Sequence, residues 1–391
     1  MMNQSSDSHY DVAVVGAGIV GIAYAYAAAK RGLRVVIFER DPRAYGASVR
    51  NFGIVWPIGQ PSGPLLERAL RGRAIWGELA EGAGISVNPT GSLGLAYHVD
   101  EKALLEEFAS DAASRGYSVE PLTASEVVSK YDVARSEGLL GGLWSRTEAV
   151  VDPCEALSRV PEYLSERYGV QLEFGASIVS IDCGRLRSGS RVWSADRIWI
   201  CSGSDFATLY PEIFAASGLE RVKLQMMRTS PQPEGFCLGS IIYGGLTMAR
   251  CGSFSDLLAT KALCERIRLE MPFVHERGIH GMLCQNARGE LIVGDSHDTS
   301  APLSPFIRED INQSILDYLR SLARVPDLRI RERWQGVYAR LPGQSEFRFS
   351  PEPGVEIVTG LGGAGMTLAF GLAEESLSLE SSKCVEWRID E

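Results

Sequence analysis

The stretch Gly16-Ala17-Gly18-Ile19-Val20-Gly21 stands between a short β-branched run, Asp11–Val15, and an alanine-rich segment with helical spacing, Ile19–Lys30. Three glycines at that spacing, in that place, leave few folds open. The first two permit a tight turn and close approach of backbone to a diphosphate. The third lets helix and strand pack closely, while the helix N-terminus supplies partial positive charge. Gly32 closes the helix as a C-terminal cap, and Arg34–Phe38 forms a second buried strand that ends in Glu39. This is a βαβ unit. A carboxylate at Glu39 can accept hydrogen bonds from both ribose hydroxyls of an adenosine and would repel a 2′-phosphate. NAD and FAD share this fingerprint, so the turn alone does not choose between them.

The same grammar returns at the other end of the chain. Val355–Thr359 reads as a buried strand, Gly360-Leu361-Gly362-Gly363-Ala364-Gly365 as a glycine turn, and Met366–Leu379 as a helix. One nucleotide-binding unit can therefore be assembled from separated segments. Between the two ends, a loop is expected over 41–60, with helices over 65–79, 101–114 and 309–322. Thr123-Ala124-Ser125-Glu126 has capping-box spacing, and Asp152-Pro153 opens another helix. Strands are expected over 90–99, 239–249, 291–294 and 333–341, and 171–181 is expected to pair with 191–201.

The formal net charge of −10 argues against a nucleic-acid surface, which needs a basic footprint, but leaves room for a few arginines around an anionic substrate. No apolar run approaches the roughly 20 residues of a membrane span. Met1–Asp7 lacks the layout of a signal peptide, so a cytoplasmic protein is expected. The eight cysteines include no Cys-x-x-Cys pair, so neither zinc nor any other metal is expected, and they read as free thiols in a reducing compartment.

The residues after Glu39 narrow the cofactor. Gly46-Ala47-Ser48-Val49-Arg50-Asn51-Phe52-Gly53 resembles the Gly-Ala-Ser-x-x-Asn-x-Gly stretch of the D-amino-acid oxidase-like flavoproteins, the family of glycine and sarcosine oxidases. Gly142 to Pro153, Ala195 to Gly203 and Gly360 to Thr367 resemble three later stretches of that family in the same order. The resemblance implies an α/β (α+β overall) fold. A Rossmann-like FAD-binding domain would comprise 10–80, 140–220 and 335–385, with an antiparallel-sheet substrate domain over 81–139 and 221–334. It implies FAD held by Gly16, Gly18, Ile19, Val20, Gly21, Glu39 and Arg40, and by Ala47, Ser48, Asn51, Phe52 and Gly53. Val179, Ser202, Gly203 and Gly336 would join them, with Gly362, Gly363, Gly365, Met366 and Thr367 completing the set. Gly336 stands where sarcosine oxidase relatives carry a cysteine tether, so the FAD is expected to be non-covalent.

The resemblance also implies oxidation of a small amine by hydride transfer to the flavin and hydrolysis of the imine, with no catalytic side chain required. Glycine oxidase-like members carry a carboxylate-gripping arginine in a strand reading Trp-x-Gly-x-Arg-Pro. Here Tyr338 takes its place and Arg340 stands two residues on, on the same strand face by the period of 2. An anionic group larger than an α-carboxylate, or farther from the amine, would suit that shift. Arg50 is a second candidate clamp, and His297 and Trp56 are candidate wall residues. The segment Ala47 to Pro61 resembles the branch proposed to oxidise aminophosphonates such as 2-aminoethylphosphonate, including N-methyl and hydroxy forms. Glycine, sarcosine, a D-amino acid or a 2-hydroxy acid remain alternative substrates. The strand over 291–294 offers an apolar residue where relatives place an oxygen-activating lysine, so oxygen and another electron acceptor both stay open, as does oligomeric state.

Overall fold

The computed structural model describes residues 8–386. Strand β1 (Ser8–Val15) runs through the glycine turn into helix α1 (Ile19–Lys30) and on to β2 (Val35–Glu39). Ten of the twelve residues of α1 are buried. A helix that is apolar all round needs cover on every side. The sheet lies on one side of it, and helices Pro153–Tyr168 and Gly365–Glu386 supply more. Its small alanines permit the close approach, and Tyr24 packs its ring 4.8 Å from that of Trp199.

Trp199 belongs to β3 (Arg191–Ile200), which pairs in parallel with β1 from Ser8 opposite Trp193 to Val15 opposite Ile200. β2 pairs on the other edge of β1, Gln171–Phe174 extends the sheet beyond β2, and Val355–Thr359 extends it beyond β3, all in parallel. Five parallel strands thus come from separated parts of the chain. The expected pairing of 171–181 with 191–201 is corrected by this topology. The two stretches do not pair, because Gly175 turns the chain at φ 75° and a hairpin, Ser180–Asp182 with Arg185–Ser188, comes between.

A second sheet has eight strands. Its first part is β4 (Glu220–Pro231), β5 (Glu290–Gly294) and β6 (Ile330–Arg340), with β4 between the other two and antiparallel to both. Met282–Gln285, Ile241–Tyr243, Ser92–Ala96, Gly141–Ser145 and Val119–Thr123 come in that order beyond β5. Gly141–Ser145 is expected in the cofactor half and β6 straddles the expected boundary at residue 335, yet both pair in this second sheet. The stretch 239–249 forms a strand only over Ile241–Tyr243. It then turns at Gly244 into a short buried helix, Gly245–Met248, where a Cβ on Gly245 would lie 2.2 Å from the Glu101 carboxylate. Among the described residues no helix is long and apolar enough to cross a membrane.

The carboxyl ends of β1, β2, β3 and Val355–Thr359 open onto one cavity of about 420 Å³, the place where parallel sheets hold ligands. Leu224 of β4, Met282, and Gly336 to Ala339 of β6 close it from the second sheet.

A Cβ added at Gly21 would sit 1.9 Å from the Gly16 carbonyl oxygen, whereas one at the exposed Gly77, inside helix Pro64–Ala83, would meet nothing within 4 Å. Gly21→Ala should therefore cost about 1–3 kcal/mol of stability. Gly77→Ala should add roughly 0.5–1 kcal/mol. Thermal or denaturant melts of the two variants would test the turn's packing, and equal effects would contradict it.

Candidate active site

At one end of the cavity the backbone is bare. Gly16 has φ 108°, its N–H donates to Phe38 O at 2.7 Å, and a Cβ there would lie 2.5 Å from Cys201 O. Only glycine lets β1 turn this close to the end of β3. The N-terminus of α1 faces the cavity through Gly18, Ile19 and Val20, and the Ser48 hydroxyl accepts the Ile19 N–H at 2.9 Å. Gly21 and Gly53 do not line the cavity. They are packing glycines one step behind the wall, since a Cβ on Gly53 would lie 1.9 Å from Val151 O.

Glu39 lines the same end with both oxygens anchored, Oε2 accepting from Ala17 N–H at 2.9 Å and Oε1 from Asp41 N–H at 3.2 Å. Each carboxylate oxygen keeps a further lone pair for a ligand hydroxyl. Arg40 ion-pairs with Asp205 at 2.7 Å, joining the end of β2 to the loop after β3. Val179 is a correction: it is 52% exposed and its N–H bonds to Arg187 O, because the hairpin draws it away. Ala176, Ser177 and Ile178 line the cavity instead.

The loop after β2 is shaped by Asn51. Its amide donates to Ala47 O and Ser48 O, both at 3.1 Å, and its oxygen accepts from Gly53 N–H at 2.7 Å. The side chain is thus spent on the loop, leaving Ala47, Ser48, Asn51 and Phe52 along the wall. Opposite them lie Ser202, Gly203, Gly336, Gly362, Gly363, Gly365, Met366 and Thr367. Thr359 Oγ1 donates to Gly203 O at 2.8 Å, and Trp56 N–H donates to Thr367 Oγ1 at 2.9 Å, so hydroxyls tie the separated glycine segments together. An anchored carboxylate, a bare glycine turn and a helix N-terminus on one cavity fit an adenine dinucleotide.

The other end carries the side chains. Trp56, Tyr338 and His297 line it as the sequence suggested, but Arg50 and Arg340 do not. The antiparallel register sets Glu220 directly opposite Arg340, and the guanidinium is taken by that carboxylate at 2.8 Å. Arg50 is exposed, with Nη1 3.5 Å from Gln335 O. In their place stands Arg250, which the sequence reading missed. It donates to His275 O at 3.2 Å and has no carboxylate ion-pair partner among the described residues. The residue is exposed, while the protein around part of the side chain lowers the pKa of its guanidinium.

His280 and Asp295 were also missed. Burial pushes the His280 imidazole well below its ordinary value, helped by His297 and Arg250, and raises the Asp295 carboxyl, opposed by those same two side chains. Burial likewise raises the Tyr338 hydroxyl, with Asp295 adding to it. His280, Asp295 and His297 form a His/Asp/His group of the kind that can hold a metal ion, though they are far apart in sequence and no cysteine takes part. Asp295 could have been suspected from its place directly after β5 and two residues before His297. Arg250 had no such signal, since it stands just past a stretch, 239–249, that reads as a strand but ends in the helix Gly245–Met248.

Comparison with known proteins places this geometry. A family profile described as FAD dependent oxidoreductase matches residues 11–377. Glycine oxidase from Geobacillus kaustophilus is 32% identical over 143 residues, 34% of this chain and 38% of that protein, so the match spans well under half of the curated relative. The crystal structure of glycine oxidase from Geobacillus kaustophilus superimposes with a TM-score of 0.75 at 21% identity, covering 95% of each chain. L-α-glycerophosphate oxidase from Mycoplasma pneumoniae, solved with FAD bound, gives 0.73 at 17% identity, covering 96% of this chain and 95% of that one. The structural likenesses are likenesses of fold, and the family profile spans nearly all of the described residues. The chain belongs to the DAO family of FAD-dependent oxidoreductases.

Proposed function

We propose that this protein oxidises a small amine that also carries an anionic group. The observation that carries the reading is Arg250, a guanidinium in the cavity wall without a carboxylate partner among the described residues. A cavity guanidinium without an ion-pair partner is a ready-made clamp for a carboxylate or phosphonate. Bound FAD supplies the hydride acceptor, and the imine formed hydrolyses to a carbonyl compound. The chain's own residues orient the substrate and exclude water, with Trp56, Tyr338 and Phe52 as apolar wall around the reacting carbon.

Within that class an aminophosphonate such as 2-aminoethylphosphonate, or its N-methyl or 1-hydroxy form, is the substrate we favour. The support is the Ala47–Pro61 resemblance together with a tyrosine, Tyr338, where glycine oxidase-like strands place their carboxylate arginine. Arg250 replaces Arg340 and Arg50 as the proposed clamp. Glycine, sarcosine and D-alanine are the competing amines, and the fold likeness to a glycerophosphate oxidase keeps a phosphorylated alcohol as the second reading. The electron acceptor is oxygen or another oxidant, and the reducing cytoplasm is the proposed compartment for the free cysteines.

The FAD is proposed to be non-covalent. Gly336 offers no thiol, and the cavity thiols Cys201 and Cys251 are held protonated, burial pushing Cys251 up to about 12. Acid or heat denaturation should release all of the flavin into solution, and a yellow protein pellet would contradict this. Anaerobic bleaching of the flavin, read across the amines above and glycerol 3-phosphate, tests the substrate class. Bleaching by the alcohol alone would defeat the amine reading. Arg250→Met should raise KM for anionic amines about 10- to 100-fold, the worth of one charge-assisted hydrogen-bond pair, and leave neutral amines unaffected. An equal effect on both would defeat Arg250 as the clamp.

A further inference from the structure

The substrate end of the cavity holds a polar group with no role so far. His280 stands just before Met282–Gln285, and Asp295 and His297 stand just after β5, so neighbouring strands deliver all three to one place. One acceptor atom from each lies within 4.8 Å of the other two. Asp295 is only 6% exposed, and its Oδ1 has no hydrogen-bond partner among the described residues.

The hydrogen positions are set by the partners. His297 Nδ1 lies 3.2 Å from Gly278 O, and a carbonyl only accepts, so Nδ1 carries a hydrogen. Nε2 faces Asp295 Oδ2 at 3.6 Å. His280 Nδ1 lies 3.9 Å from Oδ1, and the two imidazoles lie 4.3 Å apart between centroids, tilted by 32°. Both nitrogen–oxygen separations exceed hydrogen-bond length. Asp295 Oδ1 therefore stands buried without a donor, beside a cavity that Asp295, His280 and His297 line. A ligand that brings its own hydrogens satisfies it. Arg250 acts electrostatically on both Asp295 and His280, so positive charge already stands at this end. A doubly charged metal would be set beside that guanidinium, whereas a zwitterion meets Arg250 with its anion and the carboxylate with its amine.

We propose that Asp295 and His297 receive the substrate's amino group, with His280 positioning the carboxylate, and that Asp295 takes one proton from it. The step is a single proton transfer. An N–H bond of the ammonium breaks and an O–H bond forms on Asp295, leaving a neutral amine and a neutral carboxyl, without any change of oxidation state. Burial, which raises this carboxyl, favours its protonated form. The neutral amine is the form that can give up hydride from its adjacent carbon. This assignment rests on the amine reading above.

The test uses holoenzyme with Asp295→Asn, which keeps the shape and one acceptor but cannot take the proton. Anaerobic flavin reduction by the best amine should slow about 100-fold or more. Binding of the des-amino anion, ethylphosphonate for 2-aminoethylphosphonate, tracked by perturbation of the flavin spectrum, should not change. Reduction at the wild-type rate, or an equal loss of ethylphosphonate binding, would overturn the assignment. So would one tightly bound divalent metal per chain in the purified protein. His297→Gln reads the same two quantities should D295N fail to retain flavin. Wild-type protein that no amine reduces would instead overturn the amine reading, a result visible before any variant is made.

Discussion

The close approach at the glycine turn is the constraint on which the rest of the structure depends. Gly16 brings the end of β1 against Cys201 O, and Gly21 brings α1 against Gly16 O, contacts that any Cβ would fill. Those two contacts set the distance between α1 and the sheet. α1 is in turn the helix on which Trp199, Ser376 and the C-terminal helix pack. The same turn points the Ala17 N–H at Glu39 and so orients the carboxylate at the end of β2. A cofactor cradle and a hydrophobic core are thus built by one piece of backbone.

The opposing wall works by different means. A parallel sheet presents strand ends and amides to the cavity, whereas the second sheet presents side chains from a strand face and from the turns beside it. Charge there is governed by cross-strand neighbours. Arg340 faces Glu220 in the β4–β6 register and is ion-paired there, while Arg250, in the turn after a short helix, has no ion-pair partner among the described residues. Asp295 obeys the same logic, arriving with two histidines at strand ends where its Oδ1 finds no hydrogen-bond partner among the described residues.

Where local chemistry dominates, the chain is legible from its residues. Helices over Ile19–Lys30 and Glu309–Leu322 and the strand Val355–Thr359 lie where spacing put them. The Thr123 and Asp152 caps form as their side chains demand. Legibility fails where a partner distant in sequence decides. Glycine turns and a hairpin separate Gln171–Phe174 from β3, and the stretch after Tyr243 becomes a helical turn against Glu101. Val179 leaves the cavity because its N–H is claimed by Arg187.

The glycine spacing, the acidic end of β2 and the ordered glycine segments by themselves determined a dinucleotide cradle and the glycine turns that line it, because backbone freedom and period are local properties. Which arginine keeps an open charge, and which carboxylate is buried beside two imidazoles, was decided only by tertiary structure. Charge pairing depends on which strands become neighbours, and Glu220 lies 120 positions from the arginine it neutralises.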